Sequence, residues 1–258
     1  PDQNIPGLAM SRSFGDNVAH SVGVISDPEI LEENLTEDEQ NDRARKSGWE
    51  INVKFFDNLN QMLLALRSGQ IDYISLLPKS TAKYIEARNN DIVLYKSAAT
   101  DDDRVKYSMA TLEENKEIYN LLNDTLNEII KDGTIKDIEK KYIDEFIEDK
   151  DNPRGIDMPH FDDAEVIKVA VTGNLPPLDF VSSDGEPAGY NIALLSEISK
   201  RANINIELVT MDEAAKLTAL VTKNIDVIFW LSSIKYADER NTFYDCPKGV
   251  MLTDNYYE

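Results

Sequence analysis

Two stretches of the chain carry the same succession of apolar and polar positions. Residues 58–77 read NLNQMLLALRSGQIDYISLL and residues 212–231 read DEAAKLTALVTKNIDVIFWL. They align without gaps at an offset of 154 (212 − 58), sharing Leu63/Leu217, Ala65/Ala219, Leu66/Leu220, Ile71/Ile225, Asp72/Asp226, Ile74/Ile228 and Leu77/Leu231. In each copy apolar residues three and four apart predict an amphipathic helix. A polar turn, at 67–70 or 221–224, ends it, and a short apolar strand follows. An apolar run also precedes each helix, at 51–56 and 204–209. Each copy therefore reads as a β-α-β unit with buried parallel strands, which tolerate near-continuous apolar runs.

Further apolar runs extend both units upstream. Residues 166–172 (VIKVAVT) predict a strand before a helix at 190–202, and residues 21–26 (SVGVIS) predict one before a polar helical stretch at 28–47. The pattern predicts two α/β lobes of similar plan, each a mostly parallel sheet flanked by helices. Between them, Ile118, Leu121, Leu122, Thr125, Leu126, Ile129 and Ile130 mark one face of a helix that stops at Asp132 and Gly133. A second short helix runs on to about Phe146. Residues 148–163, with Pro153, Gly155, Pro159 and several acids, read as a linker, and the acidic run 101–103 as a solvated loop.

Composition narrows the function. A chain of 258 residues, 41% hydrophobic and 29% charged, has a globular balance. Its 27 Lys and Arg against 48 Asp and Glu give a formal charge of −21, a field that repels phosphate backbones and anionic lipid. Nucleic acid is therefore not an expected partner. The single cysteine, Cys246, excludes an internal disulfide and a cysteine-rich metal site. No apolar run reaches the ~20 residues of a membrane helix, so direct membrane insertion is not expected. The chain opens on Pro1 rather than Met, which suits a mature form or a fragment. Only His20 and His160 are present, far apart, and no Gly-rich phosphate loop occurs. No catalytic residue, metal or cofactor is expected.

The second half resembles the N-terminal lobe of family-3, amino-acid-type solute-binding proteins of bacterial uptake systems. The residues that carry this are VIKVAVTGNLPPLDFVSSDGEPAGYNIALLSEISKRANINIELV, then NIDVIFWLSSIKYADER, then GVMLTDNYYE. Residues 49–142 are similar to the other end of the same family, where "DGT" followed by "KKY" closes the chain. The lobes thus stand in swapped order, as in a piece cut from a tandem array or a circular permutant. The resemblance implies a two-lobed periplasmic-binding-protein-like (type II) fold. Its divisions would be 1–42, a segment of uncertain fold; 43–147, a C-terminal-type lobe; 148–163, a linker; and 164–258, an N-terminal-type lobe.

In open α/β sheets ligands bind outside the carboxyl ends of the strands, which singles out the loops after Thr172 and Trp230. The first offers Asn174, Asp179 and Phe180. Asp179 reads either as the partner of a ligand ammonium or as a turn residue, and Phe180 as a stacking surface or as core. The second offers Trp230, Ser232, Ser233 and Arg240. By resemblance Arg240 stands where the family grips a carboxylate bidentately, with a surface ion pair to Asp238 or Glu239 as the other reading. Ala237 replaces the family's clamp threonine, and Leu77 and Pro78 stand where it places an acid for the ligand's amino group.

The resemblance implies capture of an amino acid or similar small polar solute by cleft closure, without covalent chemistry. It implies delivery to a membrane transporter of the ABC type or to a signalling module, in the periplasm or outside the cell. A second resemblance is short. Residues 6–30 (PGLAMSRSFGDNVAHSVGVISDPEI) are very similar to a segment of the metal-dependent type 2C Ser/Thr protein phosphatases. The DGH-type and ASDG-type motifs that hold that family's two metals are missing, and Asp16 alone cannot hold them. A phosphatase fragment and a rearranged receptor fragment without a ligand are the alternatives.

Overall fold

The computed structural model describes residues 8–10, 53–54, 56, 59–75, 77–94, 106–148, 155–233 and 249–257. The predicted strand at 21–26 and the helical stretch at 28–47 lie outside them. The chain divides into two compact units: residues 1–78 with 95–104 and 236–240, and residues 79–94 with 105–235 and 241–258.

In the smaller unit, strand β1 (Leu8–Met10) lies between β2 (Val53–Lys54) and β3 (Tyr73–Ser75) and runs antiparallel to both. Helix α1 (Leu59–Arg67) buries Leu59, Met62 and Ala65. It ends where the repeat predicts, on a turn in which the amides of Gly69 and Gln70 donate to Leu66 and Ala65, with Gly69 at φ 69°. Ala65 and Ile71 then pack together with Phe56, Leu66 and Ile74. The β-α-β unit is present, but its strands flank an antiparallel third.

The larger unit begins with α2 (Lys79–Arg88) and β4 (Lys106–Leu112). Next come α3 (Lys116–Lys131), α4 (Thr134–Glu139), a π-helical turn (Lys140–Asp144) and α5 (Glu145–Glu148). The second half supplies β5 (Val166–Val171), β6 (Asn174–Leu175), β7 (Asp179–Val181), β8 (Pro187–Ala188), α6 (Tyr190–Ala202) and β9 (Asn205–Thr210). It closes with α7 (Glu213–Val221), β10 (Val227–Ser233) and β11 (Val250–Leu252).

One sheet, ordered β11-β4-β10-β5-β9, organises this unit. β5 is parallel to β9 and β10, whereas β4 is antiparallel to β10 and β11. The sheet is α/β but mixed, which corrects the expectation of a mostly parallel one. The reason is β4, a strand from the first half of the sequence that enters the middle of the sheet.

Alternation sorts the two faces. Ile167, Val169, Val171, Val227, Phe229, Tyr107 and Met109 join one core with α3 and α6. Ala110, Ala170, Ile228 and Ile225 join the other with Leu220 of α7. Helix α3 buries Leu122, Thr125, Leu126 and Ile129, and Gly133 (φ 86°) ends it in the left-handed conformation, as its sequence predicts.

The linker residues from 155 onward are docked rather than free. The Ile156 amide donates to Pro187 (2.8 Å), Phe161 exchanges bonds with the Asn205 side chain (2.9 Å each way), and Ile156 and Met158 pack on the core.

A polar clasp fixes α4 to α6. The Arg201 guanidinium donates to Asp132 (2.5 Å), Thr134 (2.8 Å) and Glu197 (2.8 Å). Hydrogen bonds from the Thr134 amide and hydroxyl, then from Arg201, hold the Asp132 carboxyl down at about 2. Because the folded value lies below the ordinary 3.8, the clasp contributes fully above that pH and is lost as pH falls toward about 2. A carbon-detected NMR titration is expected to find Asp132 near 2. Arg201→Gln should move it only part of the way back, because the Thr134 bonds remain.

Candidate functional site

Connections from β5 run one way, through α6 to β9, and then back, through α7 to β10 on the other side of β5. The chain therefore reverses its direction of winding between β5 and β10, and their carboxyl ends open side by side. Crevices at such points are where α/β sheets take ligands. Pairing of Val227 with Val169 and Ile228 with Ala170 fixes the register, so that Thr172 and Trp230 leave the parallel pair at the same level.

The loop after β5 is staked at both ends. A small antiparallel sheet, β6-β7-β8, pairs Asn174 with Phe180 and Leu175 with Asp179. Asp179 is 1% exposed. One carboxylate oxygen accepts the Gly173 amide, and the other accepts the Asn191 side-chain amide at 2.7 Å. Desolvation raises the Asp179 pKa, while Lys216 opposes that rise. Lys216, also 1% exposed, donates to the Thr172 hydroxyl (2.9 Å) and pairs with Glu213 (2.7 Å).

The far end of the loop lies on the start of α6. The amides of Tyr190 and Asn191, orphans of the first helical turn, donate to the carbonyls of Pro177 (3.1 Å) and Leu178 (2.8 Å). Gly189, at φ 107° and ψ 177°, makes this approach possible, since a Cβ there would lie 2.3 Å from the Leu178 carbonyl oxygen.

Of the residues singled out from sequence, Asn174 and Phe180 are half-buried, and Asp179 lies beneath the loop. The Phe180 ring stacks on Phe146 of α5 (5.4 Å, 10°), which stacks on Tyr84 of α2 (5.4 Å). The Arg88 guanidinium covers Tyr84 at 4.1 Å and donates to the Phe146 carbonyl at 3.0 Å. One face of Phe180 is thus committed to protein. Trp230, Ser232 and Ser233 lie on β10, where Ser232 pairs with Tyr107 and Ser233 with Lys106. Arg240, with Ala237, Asp238 and Glu239, falls outside the described residues.

Residues 253–257 run along β4 at the same end of the sheet. Thr253 exchanges bonds with the Met109 backbone, Ser108 donates to Asn255 (2.8 Å), and Tyr107 exchanges backbone bonds with Tyr256 and Tyr257. Asp254 is gripped by Asn123 and Asn127 of α3. Tyr257 packs between Tyr107 and Tyr190, and burial pushes its phenol up to about 12.

Sequence reasoning missed Lys216 and Asn191. Lys216 had a signal, because it stands four residues before Leu220 on the face that α7 buries. Among the described residues no cluster of three or more His, Cys, Asp or Glu could hold a metal ion. None of their helices is long and apolar enough to cross a membrane.

Comparison with known proteins falls on the same region. Residues 167–255 match the family described as bacterial extracellular solute-binding proteins, family 3. The match spans about a third of the chain, and over it the chain is similar to that family. The matched segment runs from β5 to Asn255 and so contains both loops of the switch point. Over 40 residues the chain is 55% identical to the probable protein phosphatase 2C 72 of Arabidopsis thaliana, covering 16% of this chain and 12% of that protein. Among solved structures, the chain is similar to the PBP AgaA in complex with agropinic acid from A.tumefacien R10, at 14% identity and a TM-score of 0.37. That alignment covers 71% of this chain and 38% of the other.

Proposed function

We propose that the chain is part of a two-lobed solute receptor that captures an amino acid or similar small polar solute by closing a cleft, without catalysis. The observation that carries this reading is the reversal of winding between β5 and β10 inside the segment that matches family 3. We assign residues 164–258 to the family's N-terminal-type lobe, 148–163 to its connection and 43–147 to the C-terminal-type part. Asn174, Phe180, Trp230, Ser232, Ser233 and Arg240 are the residues we assign to the solute, with Arg240 gripping a carboxylate. Asp179 supports the loop from behind, since both its oxygens are engaged by the protein. By analogy with its family, the receptor acts outside the cytoplasm and passes its solute to a membrane transporter or a signalling module.

A thermal-shift screen against amino acids, small peptides and carboxylates tests this. A solute at about 100 times its Kd adds ~2.7 kcal/mol to stability and must raise the melting temperature. The rise is expected to vanish in Arg240→Ala. A cooperative melt that no compound shifts would refute the reading.

A further inference from the structure

Beneath the loop after β5 lie two buried charged residues that do not touch the solute in that reading, Asp179 and Lys216. Lys216 is a lysine with almost no solvent access, on a helix face otherwise given to apolar packing. Its ammonium reaches Thr172, the first residue past β5, and lies in the field of Asp179, the residue that closes the same loop. Asp179 in turn holds the amide of Gly173, whose φ of 76° needs a residue without a side chain. It also holds Asn191 of α6. Lys216 of α7 thus holds the end of β5 through Thr172, and Asp179 at the start of β7 holds the next residue and α6.

We propose that Lys216 is a positioning residue for the solute loop: bonded to Thr172, next to the Gly173 amide that Asp179 holds, it fixes residues 172–179 from beneath, so that Asn174 is presented at the mouth of the switch point. Presentation of Asn174 to a solute rests on the receptor reading; the fixing of the loop does not. Lys216 has its ion pair with Glu213, and its charge also favours the Asp179 carboxylate. A buried carboxylate without its cation is strongly disfavoured, whereas a neutral pair in the same place is not. The charged groups facing Asp179 are Lys216 and Glu213, both of α7, and the Glu213 charge acts against the carboxylate. Removing Lys216 therefore leaves Asp179 beside the acidic Glu213 and without the basic group that offsets its burial.

The test needs no solute, so its failure is distinct from failure of the receptor reading. Native-state hydrogen exchange would be followed at Gly173 and, as a remote reference, at Met109 of β4, in wild type, Lys216→Met, Asp179→Asn and the double variant. Lys216→Met is expected to cut protection at Gly173 by roughly tenfold or more. The Met109 amide should respond no more than the global stability requires. The loss should deepen as pH rises from about 4 to 7, because a raised folded pKa makes the folded state bind the proton more tightly than the unfolded chain does.

The double variant should recover most of the protection at Gly173 and lose the pH dependence. The carboxamide that replaces the Asp179 carboxylate still accepts that amide through its oxygen, and neither charge of the pair remains. If Lys216→Met fails to fold, the double variant is expected to fold. The proposal is overturned if Lys216→Met leaves Gly173 protected, if the two substitutions add without coupling, or if the double variant does not fold.

Discussion

A fragment of residues 155–258, although it contains the whole family-3 match, is expected not to fold. A fragment of residues 79–258 is expected to fold. The shorter piece lacks β4, which stands between β10 and β11, so β11 loses the strand it pairs with among the described residues. It also lacks Tyr107, Met109, Leu122, Leu126, Ile129, Ile135 and Ile143, all buried in the core that the second half shares. At ~1.5–3 kcal/mol for each large side chain, that loss is at least as large as the net stability of a typical domain, ~5–15 kcal/mol with a mid-range of about 10. Dispersed amide resonances and a cooperative melt in the 79–258 fragment, with neither in the shorter one, is the expected result. A folded shorter fragment would mean that β4 and α3 only decorate the sheet.

Gly189→Ala should be the most damaging single substitution at the start of α6, by about 2–5 kcal/mol. Backbone strain accounts for ~1–3 kcal/mol of this, because φ 107° with ψ 177° is a region that side-chain-bearing residues avoid. The rest comes from the new Cβ, which would meet the Leu178 carbonyl at 2.3 Å and that of Pro177 at 2.7 Å. Those carbonyls accept the first amides of α6, so moving them also weakens two hydrogen bonds, at ~0.5–1.5 kcal/mol each. Gly185→Ala is the control: its φ is 87°, but a Cβ there meets nothing within 4 Å, so only strain is added. Thermal melts of both variants decide the matter. Equal losses would show that the close approach to Leu178 contributes nothing.

Much of the larger unit was legible because its signals are local. Helix α6 lies where its pattern put it, at 190–202, and α3 ends on Asp132 and Gly133 because a left-handed glycine stops a helix whatever surrounds it. Strand β4 gave no comparable signal. It is covered on both faces, with Met109 in one core and Ala110 in the other, and its alternation lasts only from Lys106 to Met109, too short to stand out. Helix α2, KSTAKYIEAR, carries too little apolar character to stand out. The site divides the same way. The rule about carboxyl ends of strands singles out, from sequence alone, the loop that carries Asn174 and Asp179. The surroundings of Asp179 come from residues 12 and 37 positions further on, Asn191 and Lys216, and no local pattern links them.

The late pairing of β4 has a consequence in time. Its nearest sheet partner begins at Val227, which faces Thr111 across 116 residues of chain. At the ~5–20 residues per second of synthesis, an apolar strand and the apolar face of α3 wait on the order of 5–25 s after they emerge before the sheet that covers them exists. During synthesis this protein therefore presents sticky surface for far longer than its folded stability would suggest. A holding chaperone acting on residues 106–131 over that interval is expected to raise its yield.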